Sequence, residues 1–289
     1  MKATIFLKSF ILLTTMPWNW SSESFQAKAQ HADGWNISYT VPKDWTLYRT
    51  EGRLKMYMHQ GMGSALFIAP ALNQTLQGIT NDIVNLAGVL NMQVQPTEPL
   101  NEQTINGKKV IVGAADFINK ATHERQKSYG ITVFGQNRTS LGMLVLSRPE
   151  NIDISRKMLE DVVPTVRLGD PVENQQAVAA LAGTWIYYSG ANSPSIARSG
   201  SWSHSYEETV YFDGAGHYNW RSSSHVAATS DQRGNYQSSA SNIGGNNSKG
   251  TYTVIENTLI VNNEQSSFAY DFQLFGGKLI SGGRTFLRE

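Results

Sequence analysis

The sequence contains no cysteine among its 289 residues. That absence excludes disulfides, thiolate metal sites, a cysteine nucleophile and a lipid-modified N-terminal cysteine. An excess of charge is also lacking, because 24 Lys and Arg residues against 23 Asp and Glu residues leave a net charge of +1. No broad electrostatic field would then steer nucleic acid to the protein, so we predict no nucleic-acid partner.

The N-terminus lacks a long apolar run. The segment "SFILLTTMPW" at 9–18 is far shorter than the roughly 18 to 20 residues that span a bilayer, so we predict no stable membrane insertion. The segment follows Lys2 and Lys8, and "AKA" at 27–29 has the small residues that a signal peptidase reads. We therefore predict a signal peptide over 1–29 and a mature chain that is periplasmic or secreted in a bacterium.

Recognisable catalytic motifs are absent too. The sequence has no Gly-x-Ser-x-Gly elbow, no His-Glu-x-x-His pair, no phosphate-binding loop and no dinucleotide fingerprint. These absences favour a non-catalytic protein that uses no cofactor. An enzyme, such as a hydrolase of unknown class, stays an alternative because catalytic groups can converge from distant positions. Its acid–base candidates would be Glu207, Glu208 and Asp271.

The region before residue 169 mixes two kinds of pattern. Strand-like runs such as "KKVIVGAADF" at 108–117 are rich in β-branched residues and bounded by turn residues. Apolar residues recur at three- and four-residue steps over 75–90 and again over 153–163, which predicts two helices. Helices separated by runs of strands predict an α+β domain over 30–168, with two helices packed on an antiparallel sheet.

Three features of this region resemble the PsbP-like fold. They are "YTVPKDWT" at 39–46, the strand-rich stretch after the first helix, and a second helix that runs into "VVPTVRL" at 162–168. This fold is shared by the photosystem extrinsic subunit and by many exported bacterial domains. The resemblance implies a binding or accessory role, and no site residue of the family maps onto this chain.

A change of composition marks the second region. The segment at 169–180 carries Gly, Pro and polar residues and is predicted to be a linker. Of the 30 aromatic residues, 16 fall within 181–289, where helical periodicity disappears, so we predict an all-β domain there. In "FAYDFQLF" at 268–275, Phe268, Tyr270 and Phe272 share one face, as a half-buried strand requires.

The second region resembles the small bacterial lipocalin-like β-barrels. The resemblance rests on Gly183-x-Trp185, the "FDGAGHY" hairpin at 212–218, a pair of strands over 250–261 and a last strand that ends in Arg. It implies a β-barrel over 181–289 that can hold one small ligand. With the first resemblance, it predicts an exported, non-catalytic two-domain protein that binds a small apolar ligand or docks a protein partner.

Two Ser/Gly/Asn-rich tracts, at 189–205 and 222–250, predict long loops at one end of this barrel. Aromatic residues on or beside them predict the ligand contacts, which are Trp202, Tyr206, Trp220 and Tyr236. The competing interpretation is that Tyr206 and Trp220 belong to the core and that the tracts are only solvated.

A cluster of methionines gives a second functional hypothesis. Met56, Met58, His59 and Met62 combine thioethers with an imidazole, a ligand set that suits Cu(I). A periplasmic copper-handling protein is therefore an alternative function. In the other interpretation, Met56 and Met58 lie on one face of a strand and fill the core without any metal.

The stretch "YFDGAGHYNW" at 211–220 could be a cation site or a tight turn. A calcium loop needs oxygen ligands at alternate positions, but Ala215 and His217 stand there instead. Asp213 can bond to nearby backbone, and Gly214 and Gly216 tolerate positive φ. We therefore predict a hairpin turn in which Phe212 pairs with Tyr218.

Overall fold

A computed structural model describes residues 29–32, 34–72, 74–136, 138–194, 201–232, 235–263 and 267–289. Within these ranges, the side chains of 29–32, 60, 191–194, 201–204, 226–232 and 235–244 lie outside the description. The predicted signal peptide falls almost wholly on residues outside the described ranges. The chain divides into two compact units, one ending at Val172 and one starting at Glu173.

The first unit combines a large sheet, a small sheet and two helices. Its strands are β1 (Ala29–Ala32), β2 (Ile37–Thr40), β3 (Trp45–Glu51), β4 (Leu54–His59), β5 (Ser64–Leu72), β6 (Met92–Ile105), β7 (Lys108–Asn119), β8 (Arg125–Phe134), β9 (Thr139–Ser147) and β10 (Arg167–Leu168). Its helices are α1 (Leu76–Val89) and α2 (Ile152–Val162). The large sheet is antiparallel in the order β3-β4-β5-β9-β8-β7-β6, and the small sheet has the order β1-β2-β10.

The two helices cover opposite faces of the large sheet. Helix α1 begins at the cap residue Thr75, whose hydroxyl accepts the Gly78 N–H at 3.0 Å, and it packs on a cluster that includes Phe67, Phe117 and Leu146. Ser147, the next residue after Leu146, accepts a hydrogen bond from Ser155 of α2. Because successive strand residues point to opposite faces, α2 covers the other side. The predicted α+β class is confirmed.

The second unit is a closed antiparallel barrel. Its strands, which pair in chain order, are β11 (Gly183–Pro194), β12 (Ser201–Phe212), β13 (His217–Gln232), β14 (Asn235–Ile255), β15 (Thr258–Asn262), β16 (Ser267–Phe275), β17 (Lys278–Ser281) and β18 (Arg284–Arg288). Pairing of β18 with β11 closes the ring. The barrel predicted from the lipocalin-like resemblance is confirmed as a fold.

A short helix, α3 (Gln175–Leu181), precedes the barrel. The sequence predicts a linker over 169–180, and the structure has a helix in the second half of that segment. The side chain of Asn174 caps it by accepting the Ala177 N–H at 3.0 Å, and Val178 and Leu181 are buried in the barrel core. Three-residue spacing of these two apolar residues gives the helix a buried face.

The two Ser/Gly/Asn-rich tracts also differ from expectation. Most of 189–205 and 222–250 lies in paired strands, since β11 pairs with β12 as far as Pro194↔Ser201 and β13 pairs with β14 as far as Gln232↔Asn235. Backbone hydrogen bonds between strands require no apolar side chains, so a polar composition did not prevent pairing.

No helix within the described part of the chain is long and apolar enough to cross a membrane.

Candidate ligand-binding site in the barrel

The strand register determines which side chains face the barrel interior. On β16, Phe272 is buried in the core, so Phe268 and Tyr270 share its inward face. Residues directly opposite each other on paired strands point to the same side of the barrel wall. Leu259, opposite Tyr270, therefore also faces the interior, and Tyr187 and Glu208 face the same side as each other. The interior has two halves of different composition. We call the half next to α3 the floor and the other half the mouth.

The floor is filled by large apolar side chains. Buried residues of this half are Trp185, Val210, Phe212, Tyr218, Tyr252, Val254, Leu259, Phe272, Leu279 and Phe286. Helix α3 adds Val178 and Leu181, and the Trp185 indole N–H donates to the Leu181 carbonyl at 2.7 Å. The Arg288 guanidinium lies 5.4 Å from the Trp185 ring centre and donates to the Ala182 carbonyl. The floor is therefore a closed, packed core.

The mouth contains inward-facing aromatic side chains that remain accessible to solvent. Phe268 is 37% exposed and Tyr270 is 42% exposed, although both point the same way as buried Phe272. Their rings stack with centres 6.3 Å apart. Trp220, which is inward-facing and partly buried, packs against the floor from above. Inward-facing but exposed rings indicate a concave surface that the side chains of the barrel do not fill.

A charged pair lies between the floor and the mouth. The Glu208 side chain is 3% exposed, and one carboxylate oxygen accepts hydrogen bonds from the Arg284 guanidinium and the Tyr206 hydroxyl. The register brings Glu208 of β12 opposite Ser222 of β13, which is also buried. Because an unpaired buried carboxylate is costly, the Arg284 pairing is what lets Glu208 occupy the interior.

Arg284 is held against aromatic rings. Its guanidinium carbon lies 5.5 Å from the Tyr187 ring centre and 6.0 Å from that of Tyr206, which are cation–π distances. Although desolvation lowers the pKa of this guanidinium, the hydrogen bond and the charge of Glu208 raise it overall, so Arg284 stays charged. Desolvation raises the pKa of the Tyr206 hydroxyl, and so does its hydrogen bond to Glu208.

Two of the four predicted ligand contacts fall on this interior. Tyr206 and Trp220 both point inward and lie beside the mouth. Tyr206 contacts the Tyr187 ring, and Trp220 packs against the floor. Trp202 lies on β12 and Tyr236 on β14, but their side chains lie outside the described residues. The ligand contacts therefore stay a prediction for all four residues.

The structure places two methionines of the predicted copper site on the opposite face of the sheet from the histidine. Met56 and Met58 point to the α1 side of the large sheet and pack on its core cluster. His59 alternates to the opposite face, where its ring packs edge-on against Trp45 at 5.5 Å and its Nδ1 accepts the Met62 N–H at 3.2 Å. The copper site stays a prediction, and packing already explains the two strand methionines.

The acid–base candidates are also divided by the barrel wall. Glu208 faces inward, whereas Glu207 and Asp271 alternate to the outer face. Asp271 accepts a hydrogen bond from the hydroxyl of Thr258, its partner on the neighbouring strand, at 2.7 Å. This bond gives Asp271 a structural role. In the described ranges, no three His, Cys, Asp or Glu side chains converge as a metal site would require.

The hairpin turn predicted around Asp213 is confirmed. One Asp213 oxygen accepts the Ala215 N–H at 2.7 Å and the His217 N–H at 2.9 Å, and the other lies 2.8 Å from His217 Nδ1. Gly214 and Gly216 have φ of 74° and 94°, values that favour glycine. These backbone bonds lower the pKa of the Asp213 carboxyl.

Reasoning from the sequence missed Arg284 and did not assign Tyr270 or Phe268 to a site. A single Arg four residues from another near the end of the chain carries no motif. The alternation in "FAYDFQLF" did place Phe268 and Tyr270 on one face, but only the closed register shows that this face lines the mouth. Arg284 faces inward because it lies two residues before the buried Phe286 on β18.

Comparisons with known proteins give structural neighbours alone. No family model matches the chain, and no curated protein matches it. The solution structure of cyanobacterial PsbP (CyanoP) from Synechocystis sp. PCC 6803 is similar over 53% of this chain and 100% of its own, with 10% sequence identity and a TM-score of 0.37. A crystal structure from Bacteroides thetaiotaomicron VPI-5482 is similar over 50% of each chain, with 12% identity and a TM-score of 0.37.

A solved PsbP structure is thus among those similar to this chain. Both TM-scores are low, so the fold assignment rests on the strand orders and helices described above. The two similarities carry no argument about ligand or activity.

Proposed function

We propose that this is an exported binding or accessory protein whose barrel holds one small ligand with an apolar body in its mouth. The observation that carries the proposal is the exposure of Phe268 and Tyr270, two inward-facing aromatic residues above a packed floor. Aromatic walls with a few polar groups are the usual lining of a small-molecule site. Glu208, Arg284 and Tyr206 supply the polar groups at its base.

A neutral apolar dye tests this proposal. N-phenylnaphthylamine emission rises in apolar surroundings, so titration of the whole chain should give a saturable increase with one dye per chain. Tyr270→Ala removes one exposed ring of the mouth and should weaken binding about fivefold, in line with the contribution of a single aromatic contact.

The matched control is Tyr188→Ala. Tyr188 is also exposed and lies on β11, but it alternates to the outer face of the barrel. We expect its removal to leave dye binding unchanged. Equal weakening by both substitutions, or no saturable signal at all, would contradict a ligand site in the mouth.

Export is supported by the order of charged, apolar and small residues over 1–29. Expression of the whole chain in a bacterium, with intact mass measured on the soluble periplasmic fraction, should give a mature chain that starts near Gln30. A soluble cytoplasmic product that retains the first 29 residues would remove the export part of the proposal and leave the barrel site standing.

A further inference from the structure

Arg284 presents an accessible positive charge inside the mouth. A guanidinium has five N–H donors. Within the described part of the chain, the hydrogen bond of this guanidinium goes to Glu208, and the side chain is 46% exposed. The ring of Tyr187 lies alongside the group and limits its orientation. The mouth therefore offers a positioned donor group that a ligand can reach.

Glu208 differs from Arg284 in accessibility. Its side chain is 3% exposed, and Arg284 and Tyr206 both donate to it. Its burial and the two donors on one of its oxygens leave this carboxylate far less accessible to a ligand than the half-exposed guanidinium. Glu208 therefore orients the guanidinium, and the charge that meets a ligand is positive.

We propose that the ligand of the mouth is an amphipathic monocarboxylate, whose carboxylate is bound by Arg284 and whose apolar body contacts Trp220, Phe268 and Tyr270. This inference rests on the proposed function and names the ligand class for the same site. The planar fork of Arg matches a carboxylate through two parallel hydrogen bonds, which are charge-assisted and stronger than neutral ones. The exposed rings then cover the apolar part of the same molecule.

Three probes of one chain length separate the head-group chemistry. Decanoate, decanol and decylamine share an apolar body and differ in carrying an anionic, a neutral and a cationic head. Isothermal titration of the whole chain should show decanoate binding about tenfold more tightly than decanol, as one charge-assisted pair provides. Decylamine should bind more weakly than decanol, since its charge repels Arg284.

Substitution of Arg284 should remove the preference for the acid. Arg284→Met leaves Glu208 without its cation and destabilises the barrel, so the double variant Glu208→Gln with Arg284→Met removes both charges together. We expect this folded double variant to bind decanoate and decanol with the same affinity. Arg221→Met is the matched control, because Arg221 is exposed on the outer face of β13 and its loss should preserve the tenfold preference.

Each outcome has a separate meaning. Failure of all three probes to bind would overturn the proposed function itself. Equal binding of decanoate and decanol, or a preference that survives in the double variant, would overturn the carboxylate inference while the mouth remains a ligand site. Tightest binding of decylamine would overturn it as well, since Glu208 would then be the group that binds the ligand.

Discussion

The floor and the mouth of the barrel are formed by the same strands but differ in what their side chains do. At the floor, residues such as Trp185 and Phe212 are buried and α3 covers the end. At the mouth, inward-facing Tyr270 is exposed, and the ion pair of Glu208 and Arg284 lies at its base. The difference indicates that the floor supplies stability and the mouth is available to a ligand, so changes in the two halves should have different effects.

The largest loss of stability should come from Trp185→Ala. Trp185 is 2% exposed, and its indole contacts Arg288 and bonds to Leu181. Emptying this volume should lower the free energy of unfolding of the barrel by about 4 kcal/mol. Denaturant unfolding followed by circular dichroism measures the change.

The matched substitution at the other half is Tyr270→Ala. Because this ring is already 42% exposed, its loss should cost less than about 1 kcal/mol. Similar losses from Tyr270→Ala and Trp185→Ala would show that the mouth is packed like the floor and would remove the distinction between them.

The charged pair should have the next largest effect. Arg284→Met leaves the Glu208 carboxylate in the interior with Tyr206, so we expect a loss of about 2 kcal/mol, below the cost of a wholly buried pair because Arg284 is half exposed. The double variant with Glu208→Gln should be more stable than Arg284→Met alone. A double-mutant cycle, built from the unfolding free energies of the two single variants and the double variant, measures the coupling energy between Glu208 and Arg284. If the losses of the single variants add up to the loss of the double variant, the pairing is contradicted.

The Asp213 turn should contribute less. Asp213→Ala removes two backbone hydrogen bonds at the β12–β13 connection, so we expect a loss of unfolding free energy that is smaller than the loss from Arg284→Met. Asn219→Ala, at an exposed position on the same hairpin, is the control and should change the unfolding free energy by no more than about 0.5 kcal/mol. If the two substitutions cost the same, the turn contributes no special stability.

The smallest expected effect concerns pH. The pKa of Tyr206 in the folded barrel lies above its ordinary value, so its contribution to stability is present below about pH 10 and is lost as pH rises toward the folded pKa. The stability difference between the wild type and Tyr206→Phe should therefore shrink between about pH 9 and pH 11. Unfolding of both proteins at several pH values measures it, and a constant difference would contradict the pKa shift.

Part of the fold could be predicted because local patterns determine it. Apolar periodicity located α1 and α2 to within one residue at each end, and turn residues located most of the strands. Strand β6 was not among the predicted strands, and it contains Pro96 and Pro99, which are tolerated there because β6 is at the sheet edge. Strand β17 was missed because it is four residues long and lies between two glycine pairs.

The site was less predictable than the fold. Tyr206 and Trp220 were predicted as ligand contacts because these aromatic residues lie beside the two Ser/Gly/Asn-rich tracts. Glu208 looked like one of two adjacent acidic residues, and Arg284 looked like an ordinary surface charge. Their pairing joins positions 76 residues apart in sequence and arises only when β18 closes the ring against β11.

The most direct test of a ligand site in the mouth is a chemical-shift map of the 32.0 kDa chain. Backbone amide spectra would be recorded during titration with decanoate. We predict that shifts concentrate at Tyr187, Tyr206, Tyr270 and Arg284, while the amides of Phe212 and Tyr252 at the floor remain unchanged. Shifts confined to the outer face of the barrel or to the first unit, or no shifts at saturating decanoate, would contradict the account.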